Sequence, residues 1–178
     1  GYRLLQPVEP LEADPAVERT LVLPFQNLGP PGEEYFSDGI TEAISARLAS
    51  IKELGVISRQ SANQYKSTDK TLRQIGNELG VEYVLVGAVQ RERPGDPESP
   101  VRVTPQLVCV SDDTHLWATS YDEEMAGVFR IQSEIAEKIA ASLQVVLTDQ
   151  EKKAISTAPT ENIEAYDHLL QGRRHFYL

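Results

Sequence analysis

Apolar positions along this chain change their spacing in a fixed order, and each change marks an element. Thr20 to Phe25 is a short apolar run closed by a loop carrying Gly29, Pro30, Pro31 and Gly32, which predicts a central strand leading into a helix. Phe36, Ile40, Ile44, Leu48 and Ile51 then recur at helical spacing as one stripe. Ser37 or Asp38 is placed to cap the start of that helix. Gly55 ends it, Val56-Ile57-Ser58 reads as a second strand, and Leu72, Ile75 and Leu79 share one face of a helix that stops at Gly80. Val81 to Gln90 is an almost unbroken apolar run, the pattern of a strand covered on both faces. The loop from Arg91 to Pro100 joins it to Val101-Arg102-Val103-Thr104, whose alternation predicts a half-exposed antiparallel partner. His115 to Tyr121 supplies a fifth strand, with His115 and Trp117 on one face, and Val128, Ile131, Ile135, Ile139, Leu143 and Val146 stripe a long helix.

These elements define an α/β fold. Two strand-helix units followed by an antiparallel meander and a helix predict a mixed sheet of about five strands packed with three helices. Pro105 interrupts the pattern, because proline brings no amide to a ladder; its strand is expected to lie at an edge, to bulge, or to have that amide position facing outward. Residues 1–18 carry Pro7, Pro10 and Pro15 without sustained periodicity and read as a tether or arm, so the fold is expected over residues 19–147. Residues 148–178 read as a polar linker followed by a helix.

Charge and composition remove whole classes of function. The 178 residues hold 17 basic and 27 acidic side chains, a net charge of -10, and a phosphate-backbone partner is disfavoured because nucleic-acid binding rests on Lys and Arg displacing counterions. No apolar run reaches the roughly 20 residues needed to cross a bilayer, and the opening Gly1-Tyr2-Arg3-Leu4-Leu5 is too short for a signal peptide. Cys109 is the only cysteine, so one chain holds neither a disulfide nor a thiolate metal site, and its neighbours Leu107, Val108 and Val110 place it as a small buried apolar residue.

Candidate chemistry narrows the picture further. No glycine spacing opens a nucleotide-binding helix after a strand, and no serine elbow or Cys/His pair is present. Asp38 and Glu42 lie near a helix start, where the dipole favours negative charge, and Asp122-Glu123-Glu124 end a strand. His115 has no second ligand at metal spacing. The expectation is therefore no catalytic residue, no metal and no cofactor. In an open α/β sheet, ligands favour the crevice beyond the carboxyl ends of the strands, which makes Asn27, Ser58, Arg59, Tyr65 and Lys66 the candidate ligand-binding residues.

Four segments occur in one order: Leu21-Val22-Leu23-Pro24-Phe25 with Asn27; Tyr35-Phe36-Ser37-Asp38-Gly39-Ile40-Thr41-Glu42; Ile75-Gly76-Asn77-Glu78-Leu79-Gly80-Val81; and His115-Leu116-Trp117-Ala118 closing on Tyr121-Asp122. Together they resemble the TolB-amino-terminal-like domain over residues 19 to 147. Pro105 departs from that family's pattern, in which a small residue is usual at this position. The spacing of Tyr166, Leu169, Leu170 and Gly172 resembles the first helix of a tetratricopeptide repeat, a unit that needs neighbours to bury its face. The resemblance implies a non-enzymatic sensory or protein-interaction domain of a bacterial signalling protein: a regulator, an adenylate cyclase or a serine/threonine kinase. The alternatives are an envelope-associated structural protein closer to the Tol and flagellar relatives, or a small-molecule receptor. It also implies a periplasmic or extracytoplasmic domain of a membrane-anchored protein, with a cytoplasmic place as the alternative. Tyr166, Leu169, Leu170, Phe176 and Tyr177 put much apolar surface on one short terminal helix and are the candidate interaction residues, toward downstream repeats, a protein partner, a second copy or a groove of this chain.

Overall fold

In the computed structural model, residues 17–158, 160 and 162–174 are described. Most of the expected arm, and the candidate interaction residues Phe176 and Tyr177, lie outside them. The elements run β1 (Glu18–Val22), β2 (Gln26–Asn27), α1 (Glu34–Ala49), β3 (Leu54–Val56), α2 (Arg59–Asn63), α3 (Leu72–Leu79), β4 (Tyr83–Arg91), β5 (Pro100–Cys109), β6 (Thr114–Ala118), β7 (Tyr121–Glu124), α4 (Val128–Ser142), α5 (Asp149–Ser156) and α6 (Ile163–Arg174). The sheet is mixed, with β3-β1-β4-β5-β6 as its path, β2 also on β4 and β7 also on β5. β1 runs parallel to β3 and β4, whereas β4, β5 and the β6–β7 edge form the antiparallel meander.

Helices cover both faces. Alternation along β4 sends Leu85 and Val89 toward the larger core with α1 and α4, and sends Val84 toward the smaller one with Ala62 of α2 and Ile75 of α3. The stripe Phe36, Ile40, Ile44, Leu48 packs into the larger core together with Ile131, Ile135 and Ile139, all fully buried. α3 carries a capping box between Thr71 and Gln74 and stops at Gly80 with φ +65°, the conformation glycine adopts at least cost.

Several expectations are corrected. Pro24 breaks the first strand, which ends at Val22, and pairing with β4 resumes only at Gln26–Asn27. The second strand is Leu54–Val56, so Ile57 and Ser58 fall beyond it. The third strand continues through Arg91, and Met125–Gly127 forms a short 3-10 turn before α4. The fourth strand does not stop at Thr104 but runs through Pro105 to Cys109 in the middle of the sheet. Pro105 lies opposite Gly87 on one side; on the other, its carbonyl accepts from the Thr119 amide at 3.3 Å. Because a strand residue's amide and carbonyl aim to the same side, the missing N–H falls at the corner between β6 and β7 and the β4 ladder loses nothing.

That corner also divides the expected fifth strand in two. A bulge between Leu107 and Val108 sets Trp117 opposite Leu107 and His115 opposite Val108. The two-residue alternation is broken, so Trp117 packs against the core while His115 stays exposed. Val146 does not share the α4 stripe; the helix ends at Ser142 and Val146 is 82% exposed. The polar stretch after Leu147 contains a further helix, α5, started by a capping box between Thr148 and Glu151. With α2 as well, the described residues form six α-helices where three and a terminal one were expected.

Candidate functional site

The residues expected to bind a ligand lie near the carboxyl ends of β1 and β3, and the structure engages each in bonds within the domain. Asn27 closes its own turn, accepting from the Gly29 amide at 2.9 Å and donating to the Pro30 carbonyl at 3.0 Å. Ser58 is the N-cap of α2 and accepts from the Ser61 amide. Arg59 donates to the Val22 carbonyl and to Asn63 Oδ1, both at 2.8 Å. Tyr65 donates to Glu78, and Lys66 bridges to Asp38 across both carboxylate oxygens at 3.1 Å. Glu78 is held below the ordinary glutamate range, first by the hydrogen bond from Lys70 and then by that from Tyr65. These pairs are half-exposed and stitch neighbouring turns together.

The densest polar centre lies elsewhere, at the far end of β4. Parity puts Arg91 on the same face as Leu85 and Val89, so its guanidinium enters the core instead of solvent. Its side chain is 1% exposed. Such a charge is tolerable only when fully partnered, and here two elements supply partners. From the start of α1, Glu33 accepts from Arg91 Nε at 2.9 Å and also from Nη2, while Tyr35 Oη lies 2.7 Å from Nη2. From α6, Asp167 Oδ1 accepts from Nη1 at 2.9 Å. The Phe36 ring centroid lies 4.1 Å from the guanidinium carbon, a cation–π contact. Burial works against the charge of Arg91, but the hydrogen bonds to Glu33 and Asp167 more than offset it and raise its proton affinity.

Local structure explains why this site forms. Gly32, at φ +89°, turns the Gly-Pro-Pro-Gly loop into α1. A side chain at Gly29 would come within 2.9 Å of the Arg91 carbonyl, so glycine lets the loop lie against the end of β4. Glu33 then occupies the N-cap position of α1 without capping it, because its carboxylate is committed to Arg91. Neither Ser37 nor Asp38 caps the helix, which begins at Glu34.

The same centre receives the last helix. Leu170, 3% exposed, fills the notch at Gly39 of α1, where an added Cβ would lie 2.5 Å from its Cδ2. Tyr166, 4% exposed, stacks edge-on against Phe129 of α4 at 4.7 Å between centroids and accepts from buried Gln132 at 3.3 Å. Gln171 donates to Tyr35. Leu169, by contrast, is 47% exposed. Of the candidate interaction residues within the described part, Tyr166 and Leu170 therefore face this domain and Leu169 faces away. α5 is clamped separately: buried Arg47 donates from Nε to the Ile155 carbonyl at 3.0 Å, Ser133 donates to the same carbonyl at 2.8 Å, and Glu151 accepts from the Lys52 amide at 2.7 Å.

The sequence contains one signal for this site that periodicity alone passes over. Arg91 follows Leu85 and Val89 in parity, although a charged residue after an apolar run reads naturally as the start of a loop. Nothing local marks Glu33 or Asp167 as its partners, which stand 58 and 76 residues away. Among the described residues no group of three or more His, Cys, Asp or Glu side chains is placed to hold a metal ion, and no helix is long and apolar enough to cross a membrane.

Comparison with known proteins fits this arrangement. No family model matches the chain. A curated protein of Rhizobium meliloti (strain 1021) named "Putative adenylate cyclase 3" is 36% identical over 167 residues, covering 93% of this chain but only 28% of that protein. The chain thus spans little more than a quarter of that relative's length. Among solved structures, TolB from Acinetobacter baumannii superposes with a TM-score of 0.52 at 15% identity, over 75% of this chain and 30% of that one. The PelC dodecamer from Paraburkholderia phytofirmans gives 0.50 at 16% over 76% and 96% of the two chains. Lipoprotein GNA1162 from Neisseria meningitidis gives 0.50 at 18% over 72% and 99%. At these identities the likeness is one of fold, and it bears out the expected TolB-like architecture at that level.

Proposed function

We propose that this chain is a non-enzymatic protein-interaction and sensory domain of a bacterial signalling protein, and that the Arg91 centre joins its α/β body to the segment beyond α6. One observation carries the reading: 93% of the chain aligns with little more than a quarter of a protein named as an adenylate cyclase, which leaves most of that protein to do other work. Among the described residues the Arg91 cluster is a structural junction with every Arg91 donor arm partnered, not an open acid-base pair. The test is direct. Purified chain given ATP with magnesium or manganese is expected to form no cyclic AMP, while deletion of the matching segment from the Rhizobium relative is expected to change its cyclic AMP output without abolishing it. Turnover by the purified chain, lost when one polar side chain is replaced, overturns the reading.

The same proposal makes α6 the opening helix of a repeat array. Its support is the spacing of Tyr166, Leu169, Leu170 and Gly172, together with half-exposed Leu169 on the side away from the body. It also places the domain outside the cytoplasm of a membrane-anchored protein, supported by the acidic composition and the proline-bearing arm. Cell fractionation that finds the full-length protein cytoplasmic and without a membrane segment overturns that placement.

A further inference from the structure

We infer that α6 is a releasable latch: it docks on α1 and α4 as a unit and leaves with the sheet still closed, because Arg91 keeps a buried carboxylate partner when Asp167 departs. The inference rests on the interaction-domain reading and adds a regulated step to it.

Three independent features support it. Arg91 is served twice, and asymmetrically. Glu33, on the body, takes both Nε and Nη2, whereas Asp167, on α6, takes only Nη1. Removing one partner of a buried pair is severe because it strands a charge, yet release of α6 strands none on the body: Glu33 and Tyr35 remain in place. Asp167 leaves with the helix and gains water.

The surface beneath α6 is, second, mixed in character. It holds Arg91, Tyr35 and Gln132 among its apolar residues, and Gln132, fully buried, has no partner for Oε1. Junctions of this mixed polar kind are typical of surfaces between units that move relative to one another. An uncovered Gln132 recovers its missing hydrogen bond from water, which lowers the cost of opening.

Third, α5 is fastened on its own. Arg47 of α1, Ser133 of α4 and the Lys52 amide in the turn after α1 hold its two ends by hydrogen bonds to α5 itself. Release can therefore stop at α6. The docked position is fixed by Leu170 in the Gly39 notch and Tyr166 against Phe129, so docking decides where any chain beyond it is held.

Hydrogen exchange on the full chain tests this. In the unaltered protein, amides of α6 are expected to open at least about tenfold more often than those of β4. Asp167→Asn, which keeps the shape and removes the charge, is expected to speed α6 exchange by about tenfold or more while β4 and β5 stay unchanged. Glu33→Gln is expected to act on α1 and β4 as well. If α6 and β4 of the unaltered chain exchange at one common rate, the latch is refuted even where a variant fails to fold. It is refuted too if Asp167→Asn leaves α6 unchanged or loosens the whole sheet equally. Either failure leaves the non-enzymatic reading standing, since the ATP assay tests that separately.

Discussion

At Gly39 the absence of a side chain has a measurable role. Leu170 occupies the space a Cβ would need, at 2.5 Å, so Gly39→Ala must displace the Leu170 side chain. Overpacking of this type costs about 1–3 kcal/mol. Leu170→Ala removes a buried leucine and should cost about 2–5 kcal/mol on its own, but the double variant should be less destabilised than the sum, because the alanine at 39 then has room. A urea-denaturation cycle that finds strict additivity would show that the notch does not seat Leu170. Arg91 gives the opposite case. Arg91→Leu leaves Glu33 and Asp167, with side chains 9% and 12% exposed, as two close carboxylates without their cation. A loss of about 3–5 kcal/mol is expected, and Glu33→Gln in the same background should recover part of it.

Elements with a clean period were legible without coordinates. α1, α3 and α4 follow their apolar stripes, and Gly80 ends α3 where the sequence places it. Strand limits were less so. An apolar run does not reveal that Pro24 interrupts pairing, that Pro105 sits where its absent amide meets a corner, or that a bulge reverses the alternation of His115 and Trp117. α5 was hidden for a different reason: its sequence is polar apart from Ala154 and Ile155, and its start is set by a cap instead of a stripe. Thr148→Ala should therefore cost about 1 kcal/mol. Glu151 of the same box is held below the ordinary glutamate range, first by the Thr148 amide and then by that of Lys52. A carboxylate whose folded value is depressed adds stability above its unfolded value and loses it as the pH falls through the folded one. The stability gap between unaltered chain and Glu151→Gln, measured by urea titration, should be full at neutral pH and close as the pH drops below about 4.5, the value it would have without those bonds.

Across the whole molecule, the sequence showed that α6 carries apolar residues needing cover but not what covers them. Periodicity reports which face is apolar; the identity of the covering surface is set by pairings such as Tyr35 with Asp167, separated by 132 residues. The ligand candidates are each engaged locally for a related reason, because polar loop residues satisfy nearby backbone and charge before anything else. Ending the chain before Asn162 should lower its melting temperature by several degrees, since Leu170 and Tyr166 no longer shield α1 and α4, with no change of oligomeric state in light scattering. A dimer that dissociates on that cut would instead place α6 between copies.

The order of Glu33, Arg91 and Asp167 along the chain also sets a schedule during synthesis. The first carboxylate is made before the arginine, and the second comes 76 residues after it, a delay of about 4–15 s at about 5–20 residues per second. A nascent chain can therefore bury Arg91 against Glu33 and close its sheet while α6 is still to be made. The last helix then arrives at a finished surface, and translation itself passes through the undocked state before the docked one.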